Sequence, residues 1–211
     1  MNGAEEKNRG RILIVDDDAS VRRSLDRLLR HAGYTVDLFA SGAELLERRT
    51  ASGPTCLVLD VHLPGLSGLE LQQRLAGDLL PIIFITGDGD IPTSVRAMKS
   101  GAVDFLLKPF GPEALLEAIR EAMARRRRAD TRRKDATEIE QRFLQLTARE
   151  REVFLLVAAG QPNKQIATEL GIVEQTVKVH RGRVMKKMQA ESIAELVRFA
   201  GRLRLGEAVR E

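Results

Sequence analysis

The sequence has few of the residues that indicate a secreted, disulfide-bonded or membrane-spanning protein. Its 211 residues include one cysteine and no tryptophan, and aromatic residues make up only 4%. One cysteine excludes an intrachain disulfide framework, and Cys56 lies in the apolar run CLVL, where a thiol usually behaves as a small buried hydrophobe. No apolar run approaches the roughly 20 residues of a transmembrane helix. We therefore expect a cytoplasmic protein that has no membrane partner.

Charge is distributed unevenly along the chain. Residues 1–120 carry 14 basic and 17 acidic side chains, whereas residues 147–211 carry 12 basic and 8 acidic ones. A chain of this length that is 43% hydrophobic ordinarily forms two small domains. The basic C-terminal part suggests a polyanionic partner, although an ordinary solvated surface would give the same balance.

Residues 11–124 alternate short apolar runs with amphipathic stretches. We expect strands at residues 12–15, 34–39, 56–59, 82–85 and 105–107, each followed by a helix. A capping box of Ser41 and Glu44 is expected to open the second helix, and the fifth helix is expected at residues 112–124. This alternation predicts an α/β doubly wound, five-stranded parallel sheet. Ligands of such sheets bind beyond the carboxyl ends of the strands.

Polar residues that suit phosphoryl chemistry follow four of these strands. They are Asp16, Asp17 and Asp18 after the first strand, Asp60 at the end of the third, Thr86 and Gly87 after the fourth, and Lys108 after the fifth. Clustered carboxylates repel one another unless a hard cation such as Mg²⁺ neutralises them. Beside such an ion and Lys108, Asp60 becomes a competent nucleophile toward phosphorus. The pattern therefore predicts an aspartyl phosphate.

Over residues 11–120 the segments ILIVDDD, LVLDVHLPGLSGLEL, IIFITGDGD and GAVDFLLKPF resemble the receiver domains of two-component response regulators. The resemblance implies a flavodoxin-like sheet of order 2-1-3-4-5, phosphorylation of Asp60 by a sensor histidine kinase, and a cis bond before Pro109. It also implies that Asp17, Asp60 and the backbone carbonyl of His62 bind Mg²⁺, with Asp16 acting through water. Lys108 would pair with the phosphate.

Three further residues are predicted to form a switch. The hydroxyl of Thr86 can move to a phosphate oxygen, the ring of Phe105 can fill the space vacated, and Gly87 leaves room for the movement. Two simpler interpretations stay open: Phe105 as an ordinary core aromatic, and His62 as a solvated loop residue whose carbonyl alone has a role.

Residues 125–144 are interpreted as a charged helical linker, because they contain the run RRRR and few apolar residues. A disordered segment is the alternative. The linker would separate a receiver domain at residues 1–124 from a second domain at residues 145–211.

The second domain has the pattern of an all-α helix-turn-helix protein. Thr147 with Glu150 opens one helix, Asn163 is expected to cap the next, and Gly171 forms the turn before a longer helix from Glu174 to about Met188. Helical periodicity places a polar face on that longer helix, formed by Gln175, Lys178, Val179, Gly182 and Lys186. Such a face suits the major groove of double-stranded DNA, with Arg181, Arg183 and Lys187 beside it for phosphate contacts. The alternative is a solvated basic face.

Residues 145–205 resemble the four-helix DNA-binding domain of LuxR, NarL and FixJ regulators, and the run TVKVHR is FixJ-like. The resemblance implies a phosphate contact by Lys164 and a dimer surface on the last helix. Gly182 stands where some relatives carry a base-contacting lysine, so the chain departs from their pattern at this position.

These observations predict a phosphorylation-dependent transcriptional regulator, not an enzyme. It would dimerise when phosphorylated, bind DNA and contact RNA polymerase. One alternative is a phosphohydrolase that uses Asp60, although the sequence has no substrate-binding cap. Another is a DNA-binding protein whose receiver responds to a ligand instead of phosphate.

Overall fold

In the computed structural model of the protein, the described residues are 9–48, 55–78, 80–87 and 91–203. The chain divides into two compact units, and the boundary between them in the sequence falls between Asp130 and Thr131. None of the helices in these ranges is both long and apolar enough to cross a membrane.

The first unit contains a five-stranded sheet in which all neighbouring strands are parallel. The strands are β1 (Arg11–Val15), β2 (Thr35–Phe39), β3 (Thr55–Asp60), β4 (Ile82–Thr86) and β5 (Asp104–Leu107), in the spatial order β2-β1-β3-β4-β5. This confirms the predicted doubly wound sheet and its strand order. Each predicted strand lies within two residues of the observed one.

Helices cover both faces of the sheet. They are α1 (Ala19–His31), α2 (Gly42–Arg48), α3 (Gly68–Arg74), α4 (Ile91–Lys99) and α5 (Pro112–Leu144). Successive strand residues point to opposite faces. Accordingly Ile12 and Ile14 pack in one core with α1 and α5, and Leu13 and Val15 pack in the other with α2, α3 and α4. The sheet is therefore buried on both sides, and its chemistry lies at the strand ends.

The predicted capping box of α2 forms only in part. The backbone N–H of Glu44 donates to Ser41 Oγ, as expected, but the Glu44 carboxylate accepts from the N–H of Ala40. A complete capping box forms instead at α3, between Ser67 and Glu70. It fixes the point at which the loop after β3 turns into a helix.

Helix α5 joins two segments that the sequence predicted as helical, residues 112–124 and the charged helical linker at residues 125–144. It runs without a break through the segment that was interpreted as a linker, because residues 113–144 contain neither glycine nor proline and several i,i+4 ion pairs support the helix. Arg126 and Arg127 donate to the backbone carbonyls of Asp78 and Arg9, so the start of this segment is attached to the first unit. The alternative of a disordered segment is therefore wrong.

The second unit is all-α, as predicted. Its helices are α6 (Ala148–Ala158), α7 (Asn163–Leu170), α8 (Glu174–Met188) and α9 (Ile193–Arg202), and they bury a common core together with Ile139 of α5. Gly171 joins α7 to α8 at a φ of 63°, in the left-handed region that glycine favours.

One helix boundary in this unit differs from the prediction. Asn163 does not cap α7, because the helix already begins at this residue and Pro162 occupies the N-cap position. The fixed φ of proline, here −72°, suits the entry to the helix. The side chain of Asn163 is thereby released for a contact with Arg181.

Candidate functional site

The predicted site residues of the first unit meet at the carboxyl edge of the sheet. Strand register places Val15 beside Leu59, so Asp16 and Asp60 follow at adjacent strand ends. The register of β4 and β5 likewise pairs Thr86 with Leu107, which precedes Lys108. The order of the strands thus brings residues from distant parts of the chain to one place.

Three carboxylates form the centre of the site. Asp16, Asp17 and Asp60 each offer an oxygen, and these oxygens lie within 4.8 Å of one another. Asp16 is fully buried and Asp60 is 7% exposed, whereas Asp17 is exposed. An oxygen-only donor set with one open side could hold a hard metal ion such as Mg²⁺.

Lys108 provides the positive charge opposite this cluster. Its Nζ lies 2.7 Å from Asp16 Oδ2 and 2.6 Å from Asp60 Oδ2. Partial burial alone would lower the pKa of Lys108, but hydrogen bonds to the two carboxylates outweigh it and raise the pKa above its ordinary value. Lys108 therefore stays protonated, and its ammonium lies between the two carboxylates. The Lys108–Pro109 bond is cis, as expected.

The loop after Asp60 packs tightly against it. The N–H of His62 donates to Asp60 Oδ1 at 2.9 Å, and the N–H of Gly68 donates to the carbonyl of Val61 at 3.0 Å. A Cβ at position 68 would lie 2.3 Å from the carbonyl oxygen of Asp60, so only glycine fits there. The hydrophobic pattern of the sequence does not indicate this contact, because it depends on the path of the loop.

The predicted switch residues surround the same edge. Thr86 is fully buried, Phe105 is half-buried against Phe84 with ring centroids 6.4 Å apart, and Gly87 is exposed. The side chain of His62 is exposed, as in the interpretation of a solvated loop residue, and its Nδ1 also lies 3.3 Å from Thr86 Oγ1. No signal in the sequence indicated this contact.

In the second unit, α8 presents the polar face that its periodicity predicted. Val177, Val184 and Met188 are buried in the core. The opposite face is exposed and includes Gln175, Lys178, Val179, Gly182, Arg183 and Lys186. Lys164 at the start of α7 is also exposed.

Three of the predicted DNA-contacting residues have partners inside the unit. Lys178 pairs with Glu174 on the same helix at 3.7 Å. Arg181 donates to Asn163 Oδ1 at 2.8 Å, which ties α8 to the first turn of α7. Lys187 lies 2.6 Å from Glu150 Oε2 and also donates to the carbonyl of Gln145. The ammonium of Lys187 is thus engaged with α6 instead of pointing to the exposed face.

Glu150 is a buried acid, 3% exposed. The hydrogen bond from Lys187 is the largest of the effects that lower the pKa of Glu150, from 4.5 to about 2, and the N–H of Thr147 adds to it. The predicted capping box of Thr147 and Glu150 forms, and Lys187 completes it with a countercharge. This pair holds α8 in place against α6.

Both units match known families. Residues 12–120 match the response regulator receiver domain, and residues 144–200 match the bacterial regulatory proteins of the luxR family. Together these matches span most of the chain.

Several relatives match over nearly the whole length. Nodulation protein W of Bradyrhizobium diazoefficiens is 48% identical over 198 residues, which are 93% of this chain and 87% of that protein. The transcriptional regulatory protein FixJ of the same species is 43% identical over 196 residues, 92% of this chain and 96% of that protein. A solved structure, described as a low-resolution structure of the response regulator StyR, has a TM-score of 0.80 at 47% identity and covers 92% of this chain and 98% of that one. The chain therefore belongs to the response regulators, in the group that joins a receiver domain to a LuxR-type DNA-binding domain.

Proposed function

We propose that this protein is a cytoplasmic, phosphorylation-dependent transcriptional regulator in which Asp60 accepts a phosphoryl group from a sensor histidine kinase. The observation that carries the proposal is the contact of Lys108 Nζ with both Asp16 and Asp60 at the ends of three different strands. When a negatively charged group is attached to one of these carboxylates, a lysine held between them is close enough to form an ion pair with it.

In the transfer, a carboxylate oxygen of Asp60 attacks phosphorus, and the bond from phosphorus to the kinase's histidine nitrogen breaks. The N–H of His62 and the ammonium of Lys108 orient the Asp60 carboxylate beforehand. Lys108 then pairs with the new phosphoryl oxygens, where its charge offsets theirs.

Asp17, Asp60 and the carbonyl of His62 would hold Mg²⁺, with Asp16 acting through water. When bound, this ion would offset the negative charge on the transferred group. The fit is supported by the oxygen-only donor set and by the exposure of Asp17, which leaves one side of the cluster open.

The phosphoryl group on Asp60 would then act on the switch residues. The hydroxyl of Thr86 would donate to a phosphoryl oxygen, and Gly87 would leave room for this movement. The ring of Phe105 would then turn into the space that Thr86 leaves. The half-buried position of Phe105 supports this role, since its ring has both a core contact and an open side.

In the DNA-binding domain, α8 would enter the major groove. Gln175, Lys178 and Val179 would contact base edges, since all three are exposed on the face away from the core. The phosphate contacts would come from Lys164, Arg181, Arg183 and Lys186. Lys187 has the weakest support among the predicted contacts because Glu150 already binds its ammonium.

The active form would be a homodimer that places two α8 helices in successive major grooves and contacts RNA polymerase. Val95 and Met98 of α4 and Leu107 of β5 support dimerisation through the receiver, because they are 44%, 45% and 50% exposed. Half-sites about one helical turn apart would follow.

Intact-mass spectrometry of the whole chain tests the central residue. Incubation with acetyl phosphate and Mg²⁺ should add one phosphoryl group to the wild type and none to Asp60→Asn. Asp18→Asn, on an exposed carboxylate of the adjacent loop, is the matched control and should be phosphorylated. Continuous release of inorganic phosphate from small phosphate esters at enzymatic rates would support a phosphohydrolase instead.

A further inference from the structure

The imidazole of His62 has no role in the function proposed above, although the backbone of this residue contacts Asp60. The backbone of this residue already serves Asp60 through its N–H. Its side chain reaches toward the neighbouring strand, where Nδ1 lies 3.3 Å from Thr86 Oγ1. Because β3 and β4 are paired, this contact joins the strand that carries the phosphate acceptor to the strand that carries the switch hydroxyl.

The hydroxyl of Thr86 has one hydrogen to donate. Phosphoryl oxygens only accept hydrogen bonds, so the hydroxyl contacts a phosphoryl group as the donor. An imidazole nitrogen without hydrogen is also an acceptor and competes for the same hydrogen. Thr86 is fully buried, which limits the directions in which its hydroxyl can point.

We propose that His62 is a positioning residue that holds the hydroxyl of Thr86 on its Nδ1 in the unphosphorylated protein and thereby opposes switching. The inference rests on the proposed function, because it concerns the hydroxyl that would donate a hydrogen bond to the phosphoryl group on Asp60. It requires the imidazole tautomer whose hydrogen is on Nε2, so that Nδ1 accepts. Phosphorylation must then break this hydrogen bond before Thr86 can donate to the phosphoryl group.

The size of the effect follows from the value of one hydrogen bond. A net hydrogen bond of ordinary strength changes an equilibrium by about two- to tenfold. A ligand that needs the released hydroxyl binds only to molecules in which the Thr86 hydroxyl is not held by His62. The apparent affinity of such a ligand is reduced in proportion to the fraction of molecules in that state. Removal of the imidazole should therefore make the site respond to lower concentrations of a phosphoryl mimic.

The exposure of His62 makes it suitable for substitution. The side chain is exposed, and His62→Ala keeps both the N–H that binds Asp60 and the carbonyl proposed for Mg²⁺. His62→Asn is the matched control, because the side-chain amide oxygen of asparagine branches from Cγ, as Nδ1 does, and can accept the same hydrogen.

The experiment titrates the full-length protein with beryllofluoride in the presence of Mg²⁺. Binding is read from the ¹⁹F NMR signal of the bound fluoride, and the response of Thr86 is read from its methyl signal. We expect half-saturation of His62→Ala at a two- to tenfold lower concentration than in the wild type. His62→Asn should resemble the wild type. In the background of Thr86→Ala, the His62→Ala substitution should have no effect, since the two residues act through one contact.

Equal half-saturation of wild type and His62→Ala would overturn the inference, as would a shift that persists in the background of Thr86→Ala. A ¹⁵N spectrum of the free protein with the hydrogen of His62 on Nδ1 would overturn it as well. These results leave the proposed function intact if the wild type binds beryllofluoride and the methyl signal of Thr86 moves. Failure of the wild type to bind would overturn both.

Discussion

At the residue scale, Lys108 is the charge that keeps two acidic side chains together. Asp16 is fully buried and Asp60 nearly so, and both carboxylates bind the Lys108 ammonium. Without it, two largely buried like charges would face each other. A bound cation would then have to supply the missing positive charge.

This dependence predicts how Mg²⁺ affects the stability of a Lys108→Met variant. Without the metal, the free energy of unfolding should fall by about 3 kcal/mol, since one partner of a largely buried ion pair has been removed. Mg²⁺ should stabilise this variant more than the wild type, because it no longer competes with the ammonium for the carboxylates. Thermal unfolding across a Mg²⁺ titration measures both effects. Arg27→Met, an exposed residue of α1, is the control. Equal stabilisation of variant and wild type by Mg²⁺ would contradict the account.

Much of the site was predictable at this scale because its residues lie at the ends of strands or directly after them. Asp16, Asp60, Thr86 and Lys108 were identified from their places after apolar runs, and the parallel sheet brings them together. The contacts of His62 with Thr86 and of Gly68 with Asp60 were not predictable. They depend on the path of the loop and on side-chain rotamers, which the hydrophobic pattern does not encode.

At the scale of elements, the pair of Glu150 and Lys187 joins α6 to α8. The pKa of Glu150 is lowered to about 2 in the folded protein, against an ordinary 4.5. A lowered carboxyl pKa stabilises the folded state fully above the unfolded pKa, and the stabilisation is lost as the pH falls toward the folded pKa. The contribution of this ion pair should therefore disappear between about pH 4.5 and pH 2.

Glu150→Gln tests this pair, because glutamine keeps the capping box but not the charge. At pH 7 we expect the DNA-binding domain to lose about 1–2 kcal/mol of unfolding free energy, a value reduced by the partial exposure of Lys187. The difference from the wild type should shrink as the pH is lowered from 5 toward about 2. Urea titrations read from the methyl signal of Ile166, which lies in this core, follow the domain within the full chain.

Glu152→Gln is the matched control for this experiment. Glu152 lies on the same helix, but it is exposed and pairs with Arg149 at i,i+3. Its substitution should change the unfolding free energy by no more than about 0.5 kcal/mol. A pH-independent loss in Glu150→Gln would show that the charge of Glu150 is not what stabilises the domain.

A second prediction at this scale concerns Lys164 at the start of α7. If Lys164 contacts a DNA phosphate, Lys164→Ala should weaken binding to every duplex about equally and reduce the slope of log K against log salt by about 0.9. Fluorescence anisotropy on two unrelated duplexes at several salt concentrations measures this slope. Arg27→Ala in the receiver domain should leave it unchanged. An unchanged slope in Lys164→Ala would remove this residue from the interface.

Two element boundaries show the limits of sequence patterns. Residues 112–124 were predicted as a helix and residues 125–144 as a separate helical linker, because the apolar stripe ends near Ala124. The two segments form one helix, which intrahelical ion pairs support as far as Leu144. Asn163 was expected to cap α7, yet Pro162 takes that position. Ion pairs and the lack of glycine and proline extend α5, whereas the fixed φ of proline sets the start of α7. The hydrophobic period carries no information about either boundary.

At the scale of the whole molecule, the fold class was predictable because the apolar residues of each unit follow a distinct pattern along the sequence. Alternating strands and helices specify the receiver, and short helices with a glycine turn specify the DNA-binding domain. The sequence also indicated a regulator whose phosphorylation controls DNA binding, because the predicted phosphate acceptor lies in one unit and the basic helix face lies in the other. Coupling between a phosphate on Asp60 and DNA binding is a free energy that depends on both units and must be measured.

The most direct test is the affinity of the full-length protein for a duplex selected from random sequence, with and without acetyl phosphate and Mg²⁺. Phosphorylation should tighten binding of the wild type by about 5- to 150-fold, the usual range of coupling between two sites. Asp60→Asn should bind with the lower affinity under both conditions. A donor effect of equal size in Asp60→Asn, or no effect in a wild type whose mass shows the phosphoryl group, would contradict the claim that Asp60 controls DNA binding.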